Sequence, residues 1–266
     1  MTVENPKLII TGGCSASTTT PNSRNINWPM HIHDRVKTNL INTAVGGSGN
    51  ISISRRIVFQ VTNALKIFKP EELLVGIMWS APHRRDLPKE KVDDYNGPSS
   101  KRDYATINFD KREYIKPNKS WHHPLSSTNC MEYHTMHYSQ PSKTSVLWYK
   151  HFQHDIDDMI NTLETILHLQ LFLKSRNINY FMTTNMNHVL DNAVMKSDNF
   201  DCQFLNELID YSVFLDIDGA YEWILQDSIY KKLPFSNEHP LSEQMKDLTD
   251  KIILPHLEAK GYIESC

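Results

Sequence analysis

The stretch Leu73-Leu74-Val75-Gly76-Ile77-Met78-Trp79 runs for seven residues without a polar side chain. So short an apolar run reads as a strand covered on both faces, the situation of strands in a parallel sheet. Two earlier runs share its character, Leu8-Ile9-Ile10-Thr11 and Leu40-Ile41-Asn42-Thr43-Ala44-Val45. A helix is expected between them over residues 30–39. A second, from Ser52 to Phe68, places Ile53, Ile57, Val61, Ala64 and Leu65 on one face before Pro70 stops it. Strand, helix, strand, helix, strand in this order argues for a parallel sheet wound by right-handed crossovers.

The pattern breaks over residues 83–147, a segment rich in Arg, Lys, Asp, Tyr, Pro and His with little periodicity. A stretch of that length without regular structure reads as a lid, a binding loop or an excursion, here an insertion folded over one end of the sheet. Periodicity returns with Ile156, Ile160, Leu163, Leu167 and Leu171, a long amphipathic helix ending near Ser175. Ile178 to Thr183 is a fourth strand, residues 200–212 read as helix, and Val213 to Ile217 as a short strand. A last helix carries Leu241, Met245, Leu248, Ile252 and Leu257, with Pro240 in its first turn and His239 beside its amino terminus. The expectation is one domain over residues 1–266, a three-layer α/β/α sandwich with a mostly parallel sheet of about five strands.

Composition narrows the partners. A formal charge of −3, with Arg55-Arg56, Arg84-Arg85 and Lys231-Lys232 as isolated pairs, gives no electrostatic case for nucleic acid. No run approaches the ~20 apolar residues of a membrane span. The first strand begins too soon after Met1 for a signal peptide, so a cytoplasmic location is expected. Cys14, Cys130, Cys202 and Cys266 lie far apart and read as reduced thiols. His31 and His33, His122-His123, and His134 and His137 are close pairs, but no Cys pair or H-E-x-x-H motif backs them as zinc ligands. Phosphate-loop and dinucleotide fingerprints are likewise missing, so no cofactor or metal is implied.

Three turns carry the chemistry. Gly12-Gly13-Cys14-Ser15 closes the first strand, Gly46-Gly47-Ser48-Gly49-Asn50 follows the second, and Glu238-His239-Pro240 precedes the last helix. A serine hydroxyl needs a base to become a nucleophile, and histidine is the side chain poised for that at neutral pH. An oxyanion at the attacked carbonyl needs preorganised donors, for which the Ser15 and Gly49 amides and the Asn50 side chain are candidates. Each residue also has an ordinary role open to it. Ser15 can bond its own turn, His239 can cap a helix, Gly49 can serve a tight turn, and Asn50 can be an N-cap.

The order and spacing of these blocks resemble the SGNH (GDSL-type) hydrolase superfamily. Gly13-Cys14-Ser15 is similar to its first block in the form found in virus- and phage-borne members, and Ser48-Gly49-Asn50 to its second. Glu238-His239-Pro240 is similar to its last, and Trp79-Ser80-Ala81-Pro82-His83-Arg84 to the Trp and Arg those members carry after the third strand. The resemblance implies a serine-dependent ester hydrolase acting on acyl or acetyl groups of a carbohydrate. Ser15 would be the nucleophile and His239 the base, with Trp79 and Arg84 binding substrate and no cofactor needed. Two family features are missing. Ser236 and Asn237 stand where an aspartate normally orients the histidine, so either a Ser-His pair acts alone or Glu238, Asp216 or Asp218 orients it. Gly76-Ile77-Met78-Trp79 replaces a Gly-x-Asn-Asp turn and its oxyanion asparagine. These departures keep a second expectation open, a hydrolase-like glycan-binding or structural protein, virion-associated and without catalysis.

Overall fold

The computed structural model describes residues 4–18, 27–88, 106–108, 113–115, 133–136, 143–187, 199–226 and 239–265. Four strands form the central sheet, β1 (Leu8–Gly12), β2 (Asn39–Asn42), β3 (Leu73–Trp79) and, after an intervening segment, β8 (Asn179–Thr184). Their spatial order is β2-β1-β3-β8 and every pairing is parallel. The α/β architecture expected from the apolar runs is therefore present.

Side chains alternate along each strand, and the two faces gather two separate cores. Leu8, Ile10, Val75, Ile77, Tyr180 and Met182 point to one face. There they meet Ile53, Ile57 and Val61 of α2 (Asn50–Ala64) and Met159, Leu163 and Ile166 of α4 (Asp155–Lys174). Ile9, Leu74, Met78 and Phe181 point to the other face, against Trp28 and Ile32 of α1 (Trp28–Val36) and residues of the carboxyl-terminal helices. Gly76 is needed here for close approach. A Cβ on it would lie 2.7 Å from the Phe181 ring.

Between β3 and α4 lie β4 (Arg85–Pro88) paired antiparallel with β7 (Tyr133–Met136), and β5 (Thr106–Asn108) paired with β6 (Glu113–Ile115). Helix α3 (Lys143–His151) follows. The interval read as irregular thus contains two short antiparallel strand pairs and the start of α3; residues 89–105, 109–112, 116–132 and 137–142, Cys130 among them, lie outside the described residues. Beyond β8 come α5 (Phe200–Leu208), a 3₁₀ turn at Tyr211–Val213 and α6 (Ala220–Gln226). The strand expected at 213–217 is reduced to one parallel bridge, Met182 to Phe214, with Leu215 N–H donating to Met182 O at 2.9 Å.

The last helix departs from its expected form. It begins at Ser242 rather than at Pro240, because Leu241 is the N-cap and its N–H donates to Gln244 Oε1 at 2.7 Å. It is also interrupted. Helix α7 (Ser242–Leu248) widens into a π turn at Thr249–Ile253 before α8 (Leu254–Ala259) continues. Pro255 explains the break, since it has no N–H for an i−4 bond and its ring crowds the preceding turn.

Candidate active site

The strand order places a switch point at β1, whose neighbours β2 and β3 are reached by crossovers to opposite sides. In open α/β sheets the crevice beyond the carboxyl ends of strands at such a point is where ligands bind. Three of the segments singled out in the sequence sit there: residues 13–17 after β1, 43–50 after β2 and 80–86 after β3.

Ser15 begins a short 3₁₀ turn (Ser15–Ser17) directly after β1 and is partly exposed. Its carbonyl accepts from Thr18 Oγ1 at 2.9 Å, while among the described residues its hydroxyl has no hydrogen-bond partner. The turn is firmly seated. Trp28 Nε1 donates to Ser17 Oγ at 2.9 Å, and Asn42 Nδ2 to Ser17 O at 2.8 Å. A Cβ on Gly46 would lie 3.9 Å from Ser15 Cβ, so the second glycine turn borders the serine.

Gly49 and Asn50 are also at this edge, but their polar groups are committed elsewhere. Gly49 N–H donates to Asp86 Oδ1 at 3.0 Å, and Ser52 N–H to Asp86 Oδ2 at 2.8 Å. Asp86 is buried, and its carboxylate closes the amino terminus of α2 as an N-cap supplied from β4. A Cβ at Gly49 would meet the Arg84 carbonyl at 2.4 Å, which is why glycine stands there. Asn50 forms a two-way bridge to the end of β3. Its Oδ1 accepts from Ser80 N–H at 2.8 Å and its Nδ2 donates to Ser80 O at 3.0 Å, with Thr162 Oγ1 at 3.3 Å as a second acceptor. The two groups that the sequence offers as oxyanion donors are thus both hydrogen-bonded within the fold, the Gly49 N–H to Asp86 and the Asn50 amide to Ser80. Both serve to tie α2, β3 and β4 together.

Trp79, the aromatic residue the sequence offers to a substrate, is fully buried in the core, with its indole N–H on Met182 Sδ at 3.4 Å. Arg84 is partly buried at the edge, its Nη1 donating to Ser80 Oγ at 2.8 Å and to Ser48 O at 3.4 Å. Arg56 reaches the same turn from α2, with Nη2 on Ser48 Oγ at 2.6 Å.

His239 lies two residues ahead of the Leu241 cap of α7, and it is partly buried. Helix α7 packs on α1, where His31 Nε2 and Ser242 O are 3.1 Å apart. The histidine therefore enters the fold on the face of the sheet that α1 covers, the helix the Ser15 turn leads into. Glu238, one of the candidate orienting acids, lies outside the described residues.

Two residues at this edge gave no signal in the sequence. Asn185 follows β8, is buried, donates from its backbone to Trp79 O at 3.0 Å and lies with Nδ2 3.7 Å from Cys14 Sγ. A run of polar residues ending a strand, Thr183-Thr184-Asn185, is the only trace of it. Asp158, in the first turns of α4, is a buried carboxyl accepting from Gln153 Nε2 at 3.3 Å. Burial, which disfavours its ionised form, pushes its pKa up to about 6. Its contribution to stability is therefore complete below the unfolded value near 3.8 and is lost as pH rises through about 6. Asp158→Asn is expected to be more stable than the parent at neutral pH, by ~2 kcal/mol, and to match it near pH 4. Thermal melts of both proteins across that range check this, and a gap between them that does not widen as pH rises from about 4 to 7 would contradict it.

Beside the end of β8 a cleft of about 640 Å³ opens, lined among others by Thr183, Asp216, Asp218, Trp223, His256 and Lys260. Burial, and then the nearby Lys260 charge, lower the pKa of His256. Asp216 and Asp218 thus lie by a cleft next to β8. Among the described residues no helix is long and apolar enough to cross a membrane, and Cys14 and Cys202 are free, buried thiols. No family model matches this chain, and no curated protein sequence matches it.

Proposed function

We propose that this chain is a serine-dependent ester hydrolase in which Ser15 attacks the ester carbonyl and His239 accepts and returns the proton. The observation that carries the reading is the Ser15 hydroxyl, unbonded among the described residues and partly exposed on a rigid turn at the carboxyl end of β1. A nucleophile on a strand-end turn, seated by buried hydrogen bonds to Ser17, is presented without loss of geometry. The Ser15 N–H remains the candidate oxyanion donor on this turn. The family resemblance extends the substrate to acyl or acetyl esters of a carbohydrate.

A second reading, a hydrolase-like fold that binds without catalysis, is favoured by a separate observation: Gly49 N–H and the Asn50 amide are both occupied. One experiment separates the two. A fluorophosphonate probe is expected to label the protein at Ser15 and to leave Ser15→Ala unlabelled, with p-nitrophenyl acetate turnover lost in the same variant. Absence of labelling and of turnover across neutral and mildly alkaline pH would establish the binding role instead.

A further inference from the structure

We propose that Arg84, at the turn formed by residues 46–48, is a binding site for a carboxylate or phosphate group on the ligand. The guanidinium offers five N–H donors in a planar fork. Here Nη1 is held by two neutral acceptors, Ser80 Oγ and Ser48 O, and Nε is shielded from solvent without an acceptor. No carboxylate lies within ion-pairing distance of it among the described residues. Arg35 and Arg85, by contrast, lie beside Asp250 and Asp157. A partly buried cation with only neutral partners is costly to maintain, and the cost is recovered when an anion docks.

The surroundings suit that role. Arg56 places a second guanidinium on the Ser48 hydroxyl, while Arg84 meets the carbonyl of the same residue. Asp86, two residues on, accepts from the Gly49 and Ser52 amides at the start of α2, where the helix end offsets its charge. With both Nη1 hydrogens on Ser80 and Ser48 and Nε shielded, Nη2 is the donor left to meet an oxygen of a carboxylate or phosphate. The Gly46–Ser48 turn has Arg84 on its Ser48 carbonyl and Ser15 against Gly46. An ester attacked at Ser15 therefore passes over this turn with its anionic group toward Arg84. This last step rests on the hydrolase reading; the anion site itself does not.

Binding is measured on the Ser15→Ala protein at neutral pH and low salt, titrating methyl hemisuccinate and inorganic phosphate and following amide ¹⁵N–¹H shifts. Saturable binding of at least one probe is expected, weakened by about ten-fold or more in Arg84→Gln and only partly in Arg84→Lys, which keeps the charge and loses the fork. Methyl hemisuccinate alone identifies a carboxylate ligand, and phosphate alone a phosphorylated one. Absence of binding by both, or binding indifferent to Arg84→Gln in a variant whose melting temperature is unchanged, overturns the site. In parallel, the ratio of kcat/KM for p-nitrophenyl succinate over p-nitrophenyl acetate is expected to fall about ten-fold in Arg84→Gln. Ser15-dependent turnover that ignores Arg84 sinks the anion site. Anion binding without any turnover sinks only the hydrolase reading.

Discussion

Asp86→Ala is expected to lose about 3 kcal/mol of stability. The carboxylate is buried and accepts two backbone N–H groups, Gly49 at 3.0 Å and Ser52 at 2.8 Å, at the start of α2. Alanine leaves both donors without a partner in a place water does not reach, and it removes the negative charge that complements the helix dipole. Asp86→Asn keeps one good acceptor and should lose roughly half as much. Urea unfolding monitored by circular dichroism reads both values. A loss under ~1 kcal/mol for the alanine variant would mean that the cap is replaced from elsewhere and that β4 is not anchored through it.

Asn50→Ala is expected to cost a comparable ~3 kcal/mol, by a different route. The carboxamide satisfies both the N–H and the C=O of Ser80, and Ser80 is fully buried just beyond β3. A methyl group can replace neither bond, so a donor and an acceptor are stranded together. Asn50→Asp distinguishes this account from simple loss of packing. An ionised carboxylate can still accept from Ser80 N–H but repels Ser80 O, so this variant should be weakest at neutral pH and recover in acid, where the carboxyl group can donate. Thermal melts at neutral and acidic pH test it; equal losses at both would point to packing instead.

The two substitutions show what the motif Ser48-Gly49-Asn50 does in this molecule. Read as letters, it offered an amide and a carboxamide to a reacting carbonyl. In three dimensions the same groups hold helix to sheet, and Asp86, thirty-seven positions from Gly49, decides that. Nothing in the local sequence Arg85-Asp86-Leu87 marks an N-cap for a helix that begins at Asn50. A cap supplied across space has no spacing rule, so pattern reading cannot find it. Trp79 shows the same limit: its strand reads as covered on both faces, and in the fold its ring is fully buried.

The chain's own order of residues determined the architecture. Uninterrupted apolar strands such as Leu73–Trp79, with helices of 3.6-residue periodicity between them, can bury their faces only in a parallel sheet with helices on both sides, and local pattern is enough to say so. It also determined that Ser15 stands at a strand end, because Gly12-Gly13 must turn there. Which polar groups are free and which are spent was settled only by tertiary structure. Hydrogen bonds between residues far apart in sequence engage Gly49 and Asn50 and give Arg84 only neutral acceptors among the described residues, while tertiary packing buries Asp158 until its ionisation is resisted. Periodicity records which face of an element is apolar; the partner of a buried donor depends on distances that no local pattern encodes.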